Sequence, residues 1–277
     1  AKLASLSVSP AEINLNYAFA YSQLVVTGQL ENGATVDLTR LAVYQPSAEI
    51  VRVSGMGLVR PMMDGQGALS VSYGGKSTSV PVAVTGLGAE FKVDFIRDVN
   101  PTLSRMGCNQ GTCHGSAKGK NGFKLSLRGY DAEFDVRALA DDYASRRVNL
   151  ASPDDSLMLL KATGAVPHVG GVLCQPGDVY YELIRQWISG GVSLQLESPK
   201  VARIELTPSN PTIELAGGRQ QFRVVATYTD GTVRDVTREA FVDGGNIEVA
   251  QSSKTGLITA LRRGESPILA RYEGAYA

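Results

Sequence analysis

The chain has 277 residues, 43% of them hydrophobic, with no apolar run near the ~20 residues that span a bilayer. Its 27 basic and 27 acidic side chains cancel, which argues against nucleic acid or an anionic membrane as its main partner. Three cysteines are too few for a disulfide framework, and the length suits two or three domains of roughly 100–200 residues each.

The N-terminus, Ala1-Lys2-Leu3-Ala4, carries no hydrophobic signal core and reads as a mature or trimmed end. Residues 1–86 read as short strands separated by turns. Residues 3–8 alternate and are broken by Ser9-Pro10. Residues 23–30 form the next strand, closed by Asn32-Gly33, a strong hairpin signal. Further strands are predicted at 50–53, 69–73 and 79–84. Strands at this spacing suggest an all-β sandwich.

Residues 90–195 differ. Phe91, Phe95, Ile96 and Val99 share a helical face, interrupted at Asn100-Pro101. A glycine- and lysine-rich loop follows at 115–129, with a short strand predicted at 123–127. Asp131 caps a helix over 131–143. Ser152-Pro153-Asp154-Asp155 is a helix start, with an N-cap serine, proline at the first position and acids in the first turn. Gly164 closes that helix, and residues 178–189 form another that ends at Gly190.

The first pattern then returns. Ser9-Pro10 matches Thr207-Pro208, Gln23 matches Gln221, Asn32-Gly33 matches Asp230-Gly231, and Asp37-Leu38-Thr39-Arg40 matches Asp235-Val236-Thr237-Arg238. All four pairs share one offset of 198 residues. After a one-residue shift, Gly57-Leu58-Val59 matches Gly256-Leu257-Ile258, and Tyr73-Gly74-Gly75 matches Tyr272-Glu273-Gly274. Two copies of one β domain with an insertion between them are implied. The second copy ends before the counterpart of strand 79–84, so an unpaired edge is expected. The predicted boundaries are 1–88, 89–197 and 198–277.

Inside the insertion lies Cys108-Asn109-Gln110-Gly111-Thr112-Cys113-His114, which holds two of the three cysteines and one of the two histidines. Two thiols followed by an imidazole is the arrangement that attaches a heme c, although the usual spacing is C-x-x-C-H. Here four residues separate the cysteines, and Gly111 supplies freedom for the bulge. The reading assigns Cys108 and Cys113 to covalent attachment and His114 to the proximal iron position. The other histidine, His168, follows Val166-Pro167 and is the expected distal ligand, giving bis-histidine coordination. Cys174 is the rival sixth ligand, against a plain role as a small buried side chain. Met158 and Met106 read as core packing, and Trp187 as core with a polar handle.

Other readings stand beside this one. Cys108 and Cys113 suit a disulfide, or zinc with His114 and one more ligand. His168 also fits a hydrogen-bonded loop residue. Lys118, Lys120, Lys124 and Arg128 suit either a docking surface for an acidic redox partner or a solvated loop face. No Ser-His-Asp or paired-carboxylate set stands out, so the chain leans away from enzymes.

The repeated pattern resembles the bacterial immunoglobulin-like domains of group 2, which occur in exported and surface proteins. The order helix, C-x4-C-H, loops, helix, terminal helix with Trp187-Ile188 resembles the class I cytochrome c fold. Residues 108–130, Arg146-Arg147-Val148-Asn149 and 166–171 resemble the cytochrome-c-like domain of large planctomycete proteins. The fold class so implied is a mainly α class I cytochrome c-like domain between two all-β Ig-like sandwiches. The function implied is electron transfer through one heme c, with a heme-based sensor or small-ligand binder as the alternative and an adhesion module as a third. The resemblance further implies export to the periplasm or cell envelope, an unidentified redox partner protein, and further domains in a longer parent protein.

Overall fold

The computed structural model describes residues 1–143 and 146–277. The first β part contains β1 (Leu3–Ser9), β2 (Ile13–Leu15), β3 (Ser22–Gln23), β4 (Val25–Leu30), β5 (Thr35–Asp37), β6 (Val43–Pro46), β7 (Val51–Val53), β8 (Leu58–Pro61), β9 (Gly65–Tyr73) and β10 (Lys76–Val84). They form sheets of order β1-β4-β5, β2-β10-β9-β6 and β3-β8-β7. The period of two in a strand decides what each sheet buries. In β10, Val80, Val82 and Val84 point inward and their neighbours do not.

The last part contains β11 (Val201–Thr207), β12 (Arg219–Gln221), β13 (Arg223–Tyr228), β14 (Val233–Asp235), β15 (Phe241–Gly244), β16 (Ala250–Ser252), β17 (Leu257–Ala260), β18 (Ile268–Tyr272) and β19 (Ala275–Tyr276). Its sheets run β11-β13-β14, β12-β17-β16 and β15-β18-β19. Strand for strand this repeats the first part, with no counterpart of β2 among the described residues. The register repeats as well. Leu3 pairs with Leu30 and Val201 with Tyr228, and each ladder shifts at the same place, between Leu3 and Ser5 and between Val201 and Arg203. The last strand, expected to be missing from the second copy, is present in short form: β19 pairs antiparallel with β18.

The repeated Asp-x-Thr segment explains how each copy is held. Thr39 Oγ1 accepts from the Val26 amide at 2.9 Å, and Thr237 Oγ1 accepts from the Val224 amide at 2.8 Å. Both threonines are fully buried, so each satisfies a backbone group that the ladder leaves open. One aspartate oxygen stays local: Asp37 Oδ1 accepts from the Thr39 amide at 2.8 Å, and Asp235 Oδ1 from the Thr237 amide at 3.1 Å. The other crosses between copies. The Gln23 amide donates to Asp235 Oδ2 at 2.8 Å, and the Gln221 amide donates to Asp37 Oδ2 at 2.5 Å. The exchange is reciprocal between equivalent positions, as in an isologous dimer interface, but within one chain.

Between the copies lie α1 (Asn100–Met106), α2 (Ala132–Val136), α3 (Leu157–Thr163) and α4 (Val179–Ser189). Asp94 caps the first helical stretch by accepting from the Arg97 amide at 2.8 Å. A π-type turn, Phe95–Val99, runs directly into α1. Pro101 sits where the two meet, at the second residue of α1. The expected interruption at Asn100-Pro101 is therefore a change of helix type rather than a break. Asp131 caps α2 as predicted, accepting from the Phe134 amide at 3.0 Å. Ser152 does not cap a helix: it opens a single 3-10 turn, Pro153–Asp155, and α3 begins after Ser156. The strand expected at 123–127 is only a bridge between Lys120 and Phe123. The insert packs around Phe95 and Trp187, whose rings lie 5.1 Å apart, with Trp187 Nε1 donating to Ser193 O.

The expected fold class is corrected by these proportions. The structure is 32% strand and 17% helix, arranged in several small sheets, and is not a mainly α class I cytochrome c-like domain between two all-β Ig-like sandwiches. The helical periodicity in the insert is real, but glycine and proline cut it into pieces, the longest of them α4 at 11 residues. No helix among the described residues is long and apolar enough to cross a membrane.

The insert is tied to the second copy at several points. Arg234 Nη1 meets Asp98 Oδ1 at 2.7 Å, with only 15% and 5% of their side chains exposed. The same guanidinium lies 4.6 Å from the ring centre of Tyr17, in the first copy. Arg105 donates to Ala240 O and Lys254 O, and Tyr180 Oη donates to Arg238 O at 3.0 Å. Asn100 Nδ2 donates to Glu273 Oε2 at 3.2 Å. Burial pushes the Glu273 carboxyl up to about 8, against the opposing pull of Asn100 and Arg271. The folded chain therefore holds a proton that the unfolded chain releases above its ordinary value near 4.5. The associated stability is complete below that value and is lost as pH rises through the folded value. Glu273→Gln should melt at a higher temperature than the parent at pH 9 and at an equal one at pH 4, measured by circular dichroism. An equal melting temperature at pH 9 would contradict this account.

Candidate functional site

The Cys108–His114 segment is built by the end of α1. Gly107 takes the left-handed conformation at φ 85° and stops the helix, and the Cys108 amide returns to Leu103 O. The loop then closes on itself. The Cys113 amide donates to Gln110 O at 2.9 Å, and the His114 amide donates to Cys108 O at 3.1 Å. Gly115 is required at the next position, because a Cβ there would fall 2.0 Å from Asn109 O.

His114 Nδ1 lies 3.1 Å from Phe123 O, and its ring sits 4.5 Å from that of Phe123. Arg147 covers Phe123 at 4.4 Å. Burial lowers the His114 pKa, with His168, Lys120 and Arg147 adding to the effect against the Phe123 carbonyl. The imidazole is thus neutral at pH 7. The Cys108 thiol is pushed up to about 12, mainly by burial and then by the Cys113 and Cys174 sulfurs. It is a protonated, weakly reactive thiol.

His168 comes from the loop after α3. It is half-buried, and its Nδ1 lies 3.1 Å from Gly171 O in its own turn. The four residues singled out from the sequence, Cys108, Cys113, His114 and His168, all line one cavity of about 500 Å³. Met158 and Met106 line it too. Leu125, Leu139 and Ile184 supply apolar wall, and Lys120, Arg146 and Lys161 supply positive charge. The sequence marked Arg146 only as part of a resembling stretch and gave neither it nor Lys161 a place at this site, because nothing in their spacing ties them to the motif. Cys174 is not part of the cavity wall; it lies in the insert core at 4% exposure, its thiol raised to about 11 by burial. The basic run does not form one surface: Lys120 faces this cavity, Arg128 faces another groove, and Lys124 lies over Phe134. Cys108 and Cys113 are free thiols, not a disulfide.

No family model matches the chain. It is similar to Ice-binding protein 1 of Shewanella frigidimarina (strain NCIMB 400), at 23% identity over 280 residues. The match covers 99% of this chain and 28% of that protein, so the chain spans little more than a quarter of its relative. Among solved structures it is similar to domains 5-6 of the S-layer protein SbsC, at 11% identity and TM-score 0.35, covering 99% of this chain and 93% of that one. Domains 4 and 5 of SbsC give TM-score 0.25 at 11% identity, covering 100% and 96%.

These findings correct the reading of the motif. Heme c is not supported as a cofactor, nor are electron transfer or heme-based sensing as functions. Among the described residues, no three His, Cys, Asp or Glu side chains form a group able to hold a metal ion. The resemblance to planctomycete cytochrome-c-like proteins with flanking group 2 Ig-like domains fails as well, since the matched relative is an ice-binding protein. The physical reason lies in the loop. Its C-x4-C-H spacing is accounted for by a turn closed through its own backbone hydrogen bonds.

A three-unit rise in the Cys108 pKa cuts its thiolate fraction about a thousandfold at neutral pH. In the native protein at pH 8, iodoacetamide should label Cys108 at least a hundredfold more slowly than in urea, read by peptide mass spectrometry. Equal rates in the two states would contradict the raised thiol pKa.

Proposed function

We propose that this chain is a rigid structural module of an exported, multidomain surface protein. It is built from three units at residues 1–88, 89–197 and 198–277. The observation that carries the reading is the reciprocal pair of Gln–Asp hydrogen bonds between the two β copies. It fixes the angle between copies through main-chain amides, which leaves little room for a hinge. The insert then acts as a brace, joined to the second copy by Asp98, Arg105 and Tyr180. The relative supports export and attachment to a larger protein, because this chain matches only 28% of it. Placement in the periplasm or cell envelope belongs to the same proposal. Ice binding is named for the Shewanella protein as a whole, and a structural part of such a protein needs no ice contact of its own.

A second reading follows from the cavity around the motif. Cys108, Cys113, His114 and His168 wall a space within the ~300–1,000 Å³ range of small-molecule pockets. With apolar walls and three cationic side chains, it suits an apolar molecule bearing an acidic group. Anilinonaphthalene sulfonate has that chemistry. It should bind the folded protein at one site, and Arg146→Glu with Lys161→Glu should weaken it about tenfold or more; unchanged binding would remove the pocket reading.

The module reading is tested by isosteric changes. Asp37→Asn and Asp235→Asn each keep the oxygen that serves the nearby threonine amide but remove the charged acceptor that crosses between copies. A buried amide left unpaired costs about 1–3 kcal/mol. The double variant should stay folded yet show a larger radius of gyration by small-angle X-ray scattering. An unchanged scattering curve would contradict the proposed lock.

A further inference from the structure

The cavity at Cys108 and His114 differs from the rest of the molecule in the sign of its charge. The chain as a whole is neutral, with 27 basic and 27 acidic side chains. A larger groove between the insert and the second β copy, about 1240 Å³, follows that balance and sets Arg128 and Arg271 against Asp131 and Glu133. The cavity of about 500 Å³ does not. Lys120, Arg146, Arg147 and Lys161 line it, and no described aspartate or glutamate does. None of the four cations forms a salt bridge with a carboxylate among the described residues. Arg147, at 8% exposure, donates instead to the carbonyl oxygens of Ala138, Asp142 and Gly122. Lys161 Nζ donates to Pro167 O. A cleft lined by one sign of charge concentrates ligands of the other.

The apolar part of the wall is aliphatic. Met106, Leu157, Met158 and Leu173 are half-buried, so each keeps surface that a ligand reaches. Val169 stands in the same wall at 83% exposure. The one phenyl ring among the lining residues, Phe123, is already engaged by His114 at 4.5 Å and by the Arg147 guanidinium at 4.4 Å. A flat aromatic ligand finds no unengaged phenyl, tyrosine or tryptophan ring to stack on. Thioethers and leucines conform readily to a flexible chain. The charge is within reach of the same ligand, since Arg146 is exposed and Lys120 and Lys161 are half-buried.

We propose that this cavity binds a straight-chain alkyl carboxylate, its chain against Met106, Leu157, Met158 and Leu173 and its carboxylate facing Lys120, Arg146 and Lys161. The inference rests on the pocket reading of the cavity and narrows it from any apolar acid to one aliphatic chain with one anionic end. The carboxylate supplies the counter-charge that the protein itself does not place there. The chain covers apolar surface that the folded insert leaves open. Each buried methylene should tighten binding about fourfold, until the chain fills the cavity.

The test is isothermal titration calorimetry of the full chain with hexanoate, octanoate, decanoate and dodecanoate, each below its micelle concentration. Octanol and octyltrimethylammonium serve as neutral and cationic counterparts. Octanoate should bind at one site, octanol at least tenfold more weakly, and octyltrimethylammonium not at all. Lys120→Gln with Arg146→Gln should weaken octanoate about tenfold and leave octanol unchanged. Octanol binding as tightly as octanoate would overturn the proposal, as would acids taken up at many sites per chain or failure of all four acids. Anilinonaphthalene sulfonate separates the two failures. If it binds at one site and no acid displaces it, the alkyl carboxylate is wrong and the pocket reading stands; if neither dye nor acid binds, both fall.

Discussion

The structure depends on one buried ion pair. Arg234 comes from the second β copy, Asp98 from the insert, and the Tyr17 ring beneath the guanidinium from the first copy. A charge taken out of water is tolerated only with a partner of good geometry. Each of the three parts therefore supplies something the other two need at this point. Separating any one of them strands a charge in an apolar setting or exposes an aromatic face. Nearby, Tyr21 Oη donates to Glu239 Oε2 at 2.5 Å and accepts from the Arg238 amide at 2.9 Å, again across copies. Burial raises the Glu239 carboxyl above its ordinary value, opposed by the Tyr21 bond and Arg60.

Around this junction the repeat contributes symmetry and the insert breaks it. The Gln–Asp exchange is the same on both sides because the two copies present the same residues. Tyr21 and Glu239 have no such equivalence, since their counterparts at the 198-residue offset are Arg219 and Leu41. Arg223 pairs with Asp235 at 2.8 Å, whereas the matching position in the first copy is Val25. Duplication set the interface, and later differences made each half specific to its side of it. The large groove lined by Asn100, Tyr130 and Tyr276 lies on the asymmetric side, between the insert and the second copy.

Much of the β architecture was legible in the sequence. The constant offset predicted the shared strand order, and Asn32-Gly33 and Asp230-Gly231 predicted hairpins, where Gly33 and Gly231 do take positive φ. The Asp-x-Thr repeat was visible, but not that one carboxylate oxygen serves its own copy and the other crosses. Distance between copies leaves no trace in local spacing. In the insert, periodicity marked the right segments and overstated their length, as at Ser152, where a 3-10 turn precedes α3. The motif at Cys108 misled because sequence proximity of two thiols and an imidazole says nothing about what they face. His114 turns its Nδ1 to Phe123 O, and Cys108 is a half-buried, protonated thiol in the cavity wall.

The central claim is that two β copies and the insert form one cooperative body joined at Arg234. Differential scanning calorimetry of the whole chain tests this most directly. The account predicts a single transition whose calorimetric and van't Hoff enthalpies agree. Two or three resolved transitions, each with the enthalpy of one part, would show units that fold independently and would contradict it.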